Sequence, residues 1–162
     1  MTIAEYNTCV DRHADGVYRF VLHNVRDKEL ARDIVQDSFE KMWINKDNIT
    51  CTKSKSWLFT TAYHGMLDRL KREKRFGEWN EVDEQRIIHE PGGYAGLREI
   101  LREALQRLPE VQRSVLLLRD YEGYSYEEIG EITSLNASQV KVYIYRARMT
   151  LKQYIGKLEN VI

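Results

Sequence analysis

The residues of this chain best suited to chemistry are basic side chains on a segment predicted to be helical from Ala137. Between residues 137 and 158 the sequence has no Asp or Glu, and its basic residues are Lys141, Arg146, Arg148, Lys152 and Lys157. Such one-signed charge attracts a polyanion, and acidic residues just upstream would repel it: Asp120, Glu122, Glu127, Glu128 and Glu131. This pattern favours phosphate binding, with a solvated basic face as the alternative.

The same segment has the spacing of a helix-turn-helix. A short helix from about Tyr126 to Ile132, a four-residue turn and a long helix are predicted. Gly130 suits the close contact between the helices, and Asn136 suits the second N-cap. The second helix of such a motif enters the major groove, so the expected duplex contacts are Ser138, Gln139, Lys141, Val142, Tyr145, Arg146 and Arg148. Gln139 would read adenine and Lys141 guanine, while Arg146 and Arg148 hold phosphates.

A second basic cluster lies at the end of a helix predicted from about Trp57 to Arg75. By charge alone, a solvated helix end and a nucleic-acid contact are equally consistent with it. Aromatic residues interleaved with basic ones suit a strand whose bases have left the stack. The expected single-strand contacts are Lys53, Lys55, Trp57, Tyr63, His64, Arg69, Lys71, Arg72, Lys74 and Arg75.

Between these clusters and the N-terminus, the segment after Asp27 predicts an amphipathic helix with Asp27 as its N-cap. Its exposed side would carry a polar, mostly acidic stripe: Asp33, Gln36, Asp37, Glu40 and Lys41. Its inward side would carry Ile34, Val35, Phe39 and Trp43. An acidic stripe of this kind suits a basic protein partner.

Helical periodicity dominates the rest of the chain, so we predict an all-α fold. The first apolar face, from Ile3 to Val21, indicates one helix or two helices broken near Gly16. Residues 45–56 read as a loop. Pro, Gly and acidic residues cluster in residues 77–96, which predicts a flexible acidic linker between two small helical domains, residues 1–76 and 97–162. Pro109 ends one helix of the second domain and opens the next.

Composition and motifs narrow the function classes. The 25 basic and 25 acidic residues cancel, so only their distribution is informative. No apolar run is long enough to cross a membrane, and the first residues lack the apolar core of a secretory signal. Cys9 and Cys51 are far apart, which favours two reduced, inert thiols in a cytoplasmic protein. We found no phosphate-binding loop, zinc-ligand spacing or nucleophile motif, so we expect neither enzyme activity nor a metal or cofactor.

The chain resembles the extracytoplasmic-function (ECF) sigma factors of bacterial RNA polymerase. The likeness covers nearly the whole chain and rests on four segments in order: DIVQDSFEKMW, SWLFTTAYHGMLDRLKREKR, LREALQRLPEVQRSVLLLRDYEGYSYEEIGEI and QVKVYIYRAR. At a few positions this sequence departs from the residues that are usual in the family. His64 replaces a usual asparagine and Ser134 a usual turn glycine, while Gln139, Val142 and Tyr143 stand where threonine, serine and arginine are common.

The resemblance implies sigma region 2 in residues 1–76 and sigma region 4 in residues 97–162. The acidic stripe would then dock on the clamp helices of the largest core polymerase subunit. Residues 45–55 and the following helix would capture the melted minus-ten element of promoter DNA, and the second domain would read the minus-thirty-five element and rest on the polymerase flap. The linker would thread the polymerase cleft or act as a solvated tether.

The resemblance also implies an anti-sigma partner, possibly membrane-bound, that would mask these surfaces, with no membrane insertion by this chain itself. A stand-alone helix-turn-helix regulator that does not bind core polymerase is the alternative function. It would explain the C-terminal half, but it leaves the acidic stripe and the basic helix before the linker without a role.

Overall fold

The computed structural model describes the backbone of residues 1–76 and 95–161, and the side chains of residues 1–73 and 96–157. Its helices are α1 (Ile3–Val25), α2 (Lys28–Ile44), α3 (Ser54–Phe76), α4 (Ala95–Gln106), α5 (Glu110–Leu116), α6 (Tyr126–Thr133) and α7 (Ala137–Val161). They form two compact units, α1–α3 and α4–α7. No strand occurs in the two described ranges, and the predicted all-α fold with two helical units is confirmed. The predicted linker lies outside the described residues except at its last two positions, where α4 has already begun.

Local capping explains where the first two helices begin. Thr2 and Glu5 form a capping box, in which Thr2 Oγ1 accepts from the Glu5 amide at 3.1 Å and Glu5 Oε1 accepts from the Thr2 amide at 3.3 Å. The α1 helix then runs unbroken through Gly16, so of the two alternatives left open by the sequence the single helix is correct. Asp27 caps α2 as predicted, because its carboxylate accepts from the Glu29 and Leu30 amides.

The core of the first unit lies where the apolar faces of α1, α2 and α3 meet. Its largest fully buried side chains are Val17, Phe20, Val21, Met42, Leu58, Phe59 and Met66. The rings of Phe20 and Phe59 lie 5.7 Å apart, which locks α1 against α3. Tyr6 joins α1 to α2, since its hydroxyl donates to the Phe39 carbonyl at 2.9 Å. These contacts fix the direction in which each helix presents its polar side.

Two expectations for the first unit were wrong in detail. Trp43 was expected inward, but it is 41% exposed. It lies near the end of α2 with one edge against the Tyr6 ring, 4.9 Å between centroids, and with the Lys46 ammonium 4.5 Å from its ring. The expected loop of residues 45–56 contains two 3-10 turns, Lys46–Asn48 and Cys51–Lys53, and α3 begins at Ser54 rather than near Trp57.

In the second unit α7 is the helix against which α4, α5 and α6 all pack. Pro109 precedes the first residue of α5, as predicted, and a π-helical turn, Leu117–Tyr121, continues α5. The buried side chains that α4, α6 and α7 contribute include Ala104, Leu105, Ile129, Ile132, Val140, Ile144 and Ala147. This packing holds α6 and α7 as a pair, with α7 directed by its buried face.

The connection between α6 and α7 is as tight as the sequence predicted. A Cβ built on Gly130 would lie 2.5 Å from the Leu135 carbonyl oxygen, so only glycine fits. Ser125 and Glu128 form a capping box at the start of α6. The α6 helix ends at Ser134, whose φ of 61° is left-handed. The two helices therefore meet with the geometry of a helix-turn-helix.

We expect Ser134→Gly to stabilise the second unit by about 0.5–1 kcal/mol, because glycine adopts the left-handed conformation without a Cβ penalty. Urea denaturation of the full chain would measure the change. Ser134→Ala is the matched control, since it removes the hydroxyl and keeps the Cβ. Equal stability of the glycine and alanine variants would contradict the explanation.

Candidate nucleic-acid interface

The exposed side of α7 carries a mostly apolar ridge, which we call the α7 ridge: Ser138, Val142, Tyr145 and Met149. These positions recur at three- and four-residue steps and so share one helix face. Val142, Tyr145 and Met149 are 45%, 65% and 37% exposed. The opposite face carries the buried Val140, Ile144 and Ala147, which leaves the ridge directed at solvent within this unit.

One flank of the α7 ridge borders an open groove of about 270 Å³, lined by Asn136, Ser138, Gln139, Val142, Tyr143 and Arg146. Gln139 is less available than expected. Its Oε1 accepts from the Asn136 amide at 3.0 Å, and its own amide donates to Asn136 Oδ1 at 2.8 Å. This reciprocal cap confirms Asn136 as the start of α7. It also means that a two-bond contact from Gln139 to adenine would compete with the cap.

The other flank carries Lys141 and Arg148, and both have partners inside the unit. Arg148 donates to Asp120 through Nη2 at 2.6 Å and Nε at 3.3 Å. The hydrogen bond to Asp120 raises the pKa of Arg148 above its already high value. The Lys141 ammonium lies 5.5 Å from the Tyr126 ring centroid on α6. Arg146 is exposed on the groove side, so the structure separates it from these two.

In the first unit the exposed side of α3 carries a stripe, which we call the α3 stripe: Trp57, His64, Lys71 and Arg72. Trp57, His64 and Lys71 are spaced by seven residues, close to two helical turns, and so lie on one face. Trp57 is half-buried, whereas His64, Lys71 and Arg72 are exposed. Lys53, just before α3, is also exposed, while the exposed Asp68 brings a negative charge into the same face.

Tyr63 does not belong to this surface, and the expectation that it contacts DNA needs correction. It is only 4% exposed, and its ring lies 6.5 Å from that of Phe20 on α1. A base cannot stack on a ring that is already covered by the core. The side chains of Lys74 and Arg75, also expected to contact DNA, lie outside the described residues.

Positive charge at the start of α3 extends toward α1. The pKa of His13 is lowered first by burial and then by the positive charges of Lys55 and Arg12. The neutral form of His13 is therefore favoured, and Lys55 contributes to the positive potential of the first turn of α3. An anionic strand would be attracted to this region.

The exposed side of α2 matches the predicted acidic stripe, which we call the α2 stripe: Asp33, Gln36, Asp37, Glu40 and Lys41. All five side chains are exposed, and Gln36 Nε2 donates to Glu40 Oε1 at 3.3 Å. Arg69 Nη2 lies 3.3 Å from Asp37 Oδ2, so α3 reaches the α2 stripe. Because Arg69 is 34% and Asp37 53% exposed, solvent screens this ion pair, which contributes at most about 1 kcal/mol.

Sequence reasoning missed three contributors to the candidate surfaces. Met149 extends the α7 ridge, and Tyr143 lines the groove. The spacing of Met149 from Val142 and Tyr145 would have identified it. Asp120 orients Arg148 from 28 positions away, and no local pattern indicates such a pair.

Two features typical of other function classes do not occur in the described residues. Within the described ranges, no helix is long and apolar enough to cross a membrane. In the same part of the chain, no group of three or more His, Cys, Asp and Glu side chains is arranged to hold a metal ion.

Comparisons with known proteins match both units. Residues 9–76 match the family model of sigma-70 region 2, and residues 98–151 match that of sigma-70 region 4. The ECF RNA polymerase sigma factor SigM of Bacillus subtilis is 28% identical, over 91% of this chain and 93% of SigM. The sigma factor YlaC of the same species is 29% identical, over 87% of this chain and 86% of YlaC.

A solved structure supports the same fold. The sigma factor RpoE from Bartonella quintana, crystallised with the anti-sigma factor NepR, has a TM-score of 0.80 and 22% identity, covering 95% of this chain and 98% of RpoE. The match over residues 9–76 disfavours a stand-alone helix-turn-helix regulator, whose likeness would be confined to the second unit. Because both characteristic regions are present in order and span most of the chain, this protein belongs to the ECF family of bacterial RNA polymerase sigma factors.

Proposed function

We propose that this sigma factor directs core RNA polymerase to promoters through three surfaces with separate tasks. The α2 stripe docks on a basic surface of the polymerase, the clamp helices of its largest subunit. The α3 stripe, with Lys53 and Lys55, captures the melted minus-ten strand. The α7 ridge and its basic flanks read the minus-thirty-five duplex, and the second unit rests on the polymerase flap. The observation that carries this proposal is the separation of charge: an exposed acidic helix face suits a protein, and exposed basic faces on other helices suit DNA.

The energy of promoter opening supports a mechanism that requires core polymerase. Breaking stacking costs about 1.4 kcal/mol per base-pair step, so a short bubble costs on the order of 10 kcal/mol. Each captured unstacked base returns about 1–3 kcal/mol. Since Tyr63 is buried, the rings that the α3 stripe offers to unstacked bases are the half-buried Trp57 and the exposed His64. Two rings do not offset the cost, so polymerase contacts must supply the rest.

Contacts inside the second unit support an order among the α7 residues that would read duplex DNA. An apolar side chain that enters the major groove of DNA can contact the methyl group of thymine. Val142 suits this contact, because it is exposed and lines the same groove on the protein surface as Arg146. Arg146 can reach a guanine edge or a phosphate without giving up a partner that we observe. Lys141 and Arg148 would first have to leave Tyr126 and Asp120. We therefore expect Val142 and Arg146 to contribute more to base recognition than Gln139 and Lys141.

Alanine substitutions in the reconstituted holoenzyme test this order. Arg146→Ala should weaken promoter binding by about 1–3 kcal/mol if a base contact is lost, with relaxed preference at one position. Lys141→Ala should weaken binding less and equally across sequences, because it changes only the phosphate attraction. Equilibrium binding to a set of single-base promoter variants gives both numbers.

Lys157→Ala, an exposed lysine near the far end of α7, is the matched control for loss of one positive charge. The assignment of α7 as the recognition helix fails if Arg146→Ala and Lys141→Ala both bind every promoter as tightly as the parent protein.

The proposed action is binding rather than catalysis, and its place is the cytoplasm, where polymerase and chromosome are. An anti-sigma factor, which could itself be membrane-bound, would act by covering the α2 stripe and the α7 ridge. The fold similarity to RpoE, which was crystallised with an anti-sigma factor, supports a partner of this class. The α7 ridge offers an anti-sigma factor an apolar contact surface, because its large apolar side chains are exposed. A helix that only faced solvent would not need such side chains.

A further inference from the structure

The two cysteines of the chain, which we expected to be separate and inert, lie side by side. Cys9 is in α1, and Cys51 begins the 3-10 turn before α3, 42 positions later. Their Sγ atoms are 3.8 Å apart. Neither cysteine is a member of the α2 stripe, the α3 stripe or the α7 ridge, so the function proposed above does not explain why they lie together.

The surroundings hold the two thiols together. Cys9 is only 2% exposed, whereas Cys51 is partly exposed. The buried Ser54 connects them, because its hydroxyl accepts from the Cys9 thiol at 3.2 Å and donates to the Cys51 carbonyl at 2.7 Å. An accessible thiol therefore faces a protected one at a fixed place, which is the arrangement of an attacking and a resolving cysteine.

We propose that Cys9 and Cys51 form an oxidative modification site, at which hydrogen peroxide converts the thiol pair into an intramolecular disulfide. The Cys51 thiolate attacks one peroxide oxygen, the O–O bond breaks, and Cys51 sulfenic acid and hydroxide form. The hydroxide takes up the proton that the Cys51 thiol released on ionisation, which gives the first water. The Cys9 sulfur then attacks the Cys51 sulfur, the S–O bond breaks, and the hydroxide leaves as water with the Cys9 proton. Two thiols and one peroxide give one disulfide and two waters.

Bond formation requires little movement. A disulfide has an S–S length of about 2.05 Å, so the sulfurs must approach by somewhat less than 2 Å. Cys9 is fixed in a helix, but Cys51 is in a single 3-10 turn at the surface, where rotation about its Cα–Cβ bond carries the sulfur. The product would tie that turn, which contains Lys53, to α1.

The electrostatic setting predicts how the reaction depends on pH. The hydrogen bond to Cys9, then burial and the charge of Glu5, raise the pKa of Cys51, and Arg12 opposes this effect. Only the thiolate attacks peroxide, so the oxidation rate should rise about tenfold per pH unit from neutral pH and should keep rising past the pKa of an ordinary cysteine thiol. The site would thus respond slowly, to sustained oxidation.

The test uses the full-length protein, reduced, freed of reductant and treated with hydrogen peroxide. We expect a loss of two hydrogen atoms by mass spectrometry and a Cys9–Cys51 cross-linked peptide in a non-reducing digest. Closing a loop of this length should raise the melting temperature of the first unit by roughly 10 °C or more, and dithiothreitol should reverse the rise. None of these readouts requires polymerase or DNA, so the result is independent of the proposed function.

Cys9→Ser and Cys51→Ser are the matched controls, each lacking one partner and therefore the intramolecular product. Cys9→Ser should instead gain one oxygen atom at Cys51. The wild-type measurement needs no substitution, so a variant that folds poorly would not obscure the result. Two free thiols after prolonged oxidation, or cross-links only between chains, would overturn the proposal.

Discussion

The Asp37→Arg variant should lose about a hundredfold or more in affinity for core polymerase while keeping its helical content. Asp37 is at the centre of the exposed α2 stripe, and a like charge placed against a basic partner costs several kcal/mol. Because Asp37 is exposed, its replacement should leave the fold intact, so misfolding would not explain the loss of affinity. Equilibrium binding to labelled core polymerase, with circular dichroism of the free variant, measures both parts.

Two controls separate docking from other effects. Arg69→Ala removes the Asp37 ion pair without reversing charge on the α2 stripe, so it should bind polymerase nearly as well as the parent protein. Asp15→Arg makes the same charge change on an exposed position of α1. Normal holoenzyme assembly by Asp37→Arg would refute the docking surface, and equal losses in Asp15→Arg would mean that net charge, not position, matters.

A second large effect is expected for Gly130→Ala. The added Cβ would lie 2.5 Å from the Leu135 carbonyl oxygen, and this backbone atom cannot move without opening the helix-turn-helix. Overpacking costs about 1–3 kcal/mol, and alanine returns about 1 kcal/mol of helix propensity only where it fits. We expect the second unit to lose about 2 kcal/mol or more of stability, measured by urea denaturation, and duplex binding to fall with it.

Gly156→Ala is the matched control for Gly130→Ala, because it makes the same change within α7. At Gly156 an added Cβ meets nothing within 4 Å in the described part of the chain. This variant should gain about 0.5–1 kcal/mol from helix propensity. The two stability changes should have opposite signs if the close approach of Gly130 to the Leu135 carbonyl, rather than the loss of a glycine as such, determines the effect. Equal changes at the two positions would contradict the close-approach explanation.

The features that the sequence predicted well are those set by neighbouring residues. Asp27 and Asn136 cap their helices because a short polar side chain can bond amides only two or three positions ahead. The position of Gly130 is equally local, since it faces a turn five residues away. The exposed side of α2 followed from a 3.6-residue period, which requires no knowledge of the partner helix.

The features that could not be predicted depend on distant residues. Tyr63 is spaced like a surface aromatic, but Phe20, 43 positions earlier, covers it. Trp43 is spaced like a core residue, yet it lies at the surface, in contact with the distant Tyr6 and with Lys46. Arg148 looks like a free cation until the fold brings Asp120 to it. The Cys9–Cys51 contact is of the same kind, because two cysteines so far apart carry no pairing signal.

Transcription from host DNA tests the central claim most directly: that two cationic helices in separate units act on one promoter once polymerase has bound the α2 stripe. Purified protein, core polymerase and fragmented genomic DNA of the same organism would be combined, and the RNA start sites sequenced. We expect starts that share two upstream sequence elements and that depend on both protein and core polymerase. If the complex starts RNA synthesis no better than core polymerase alone on any fragment, the account is wrong.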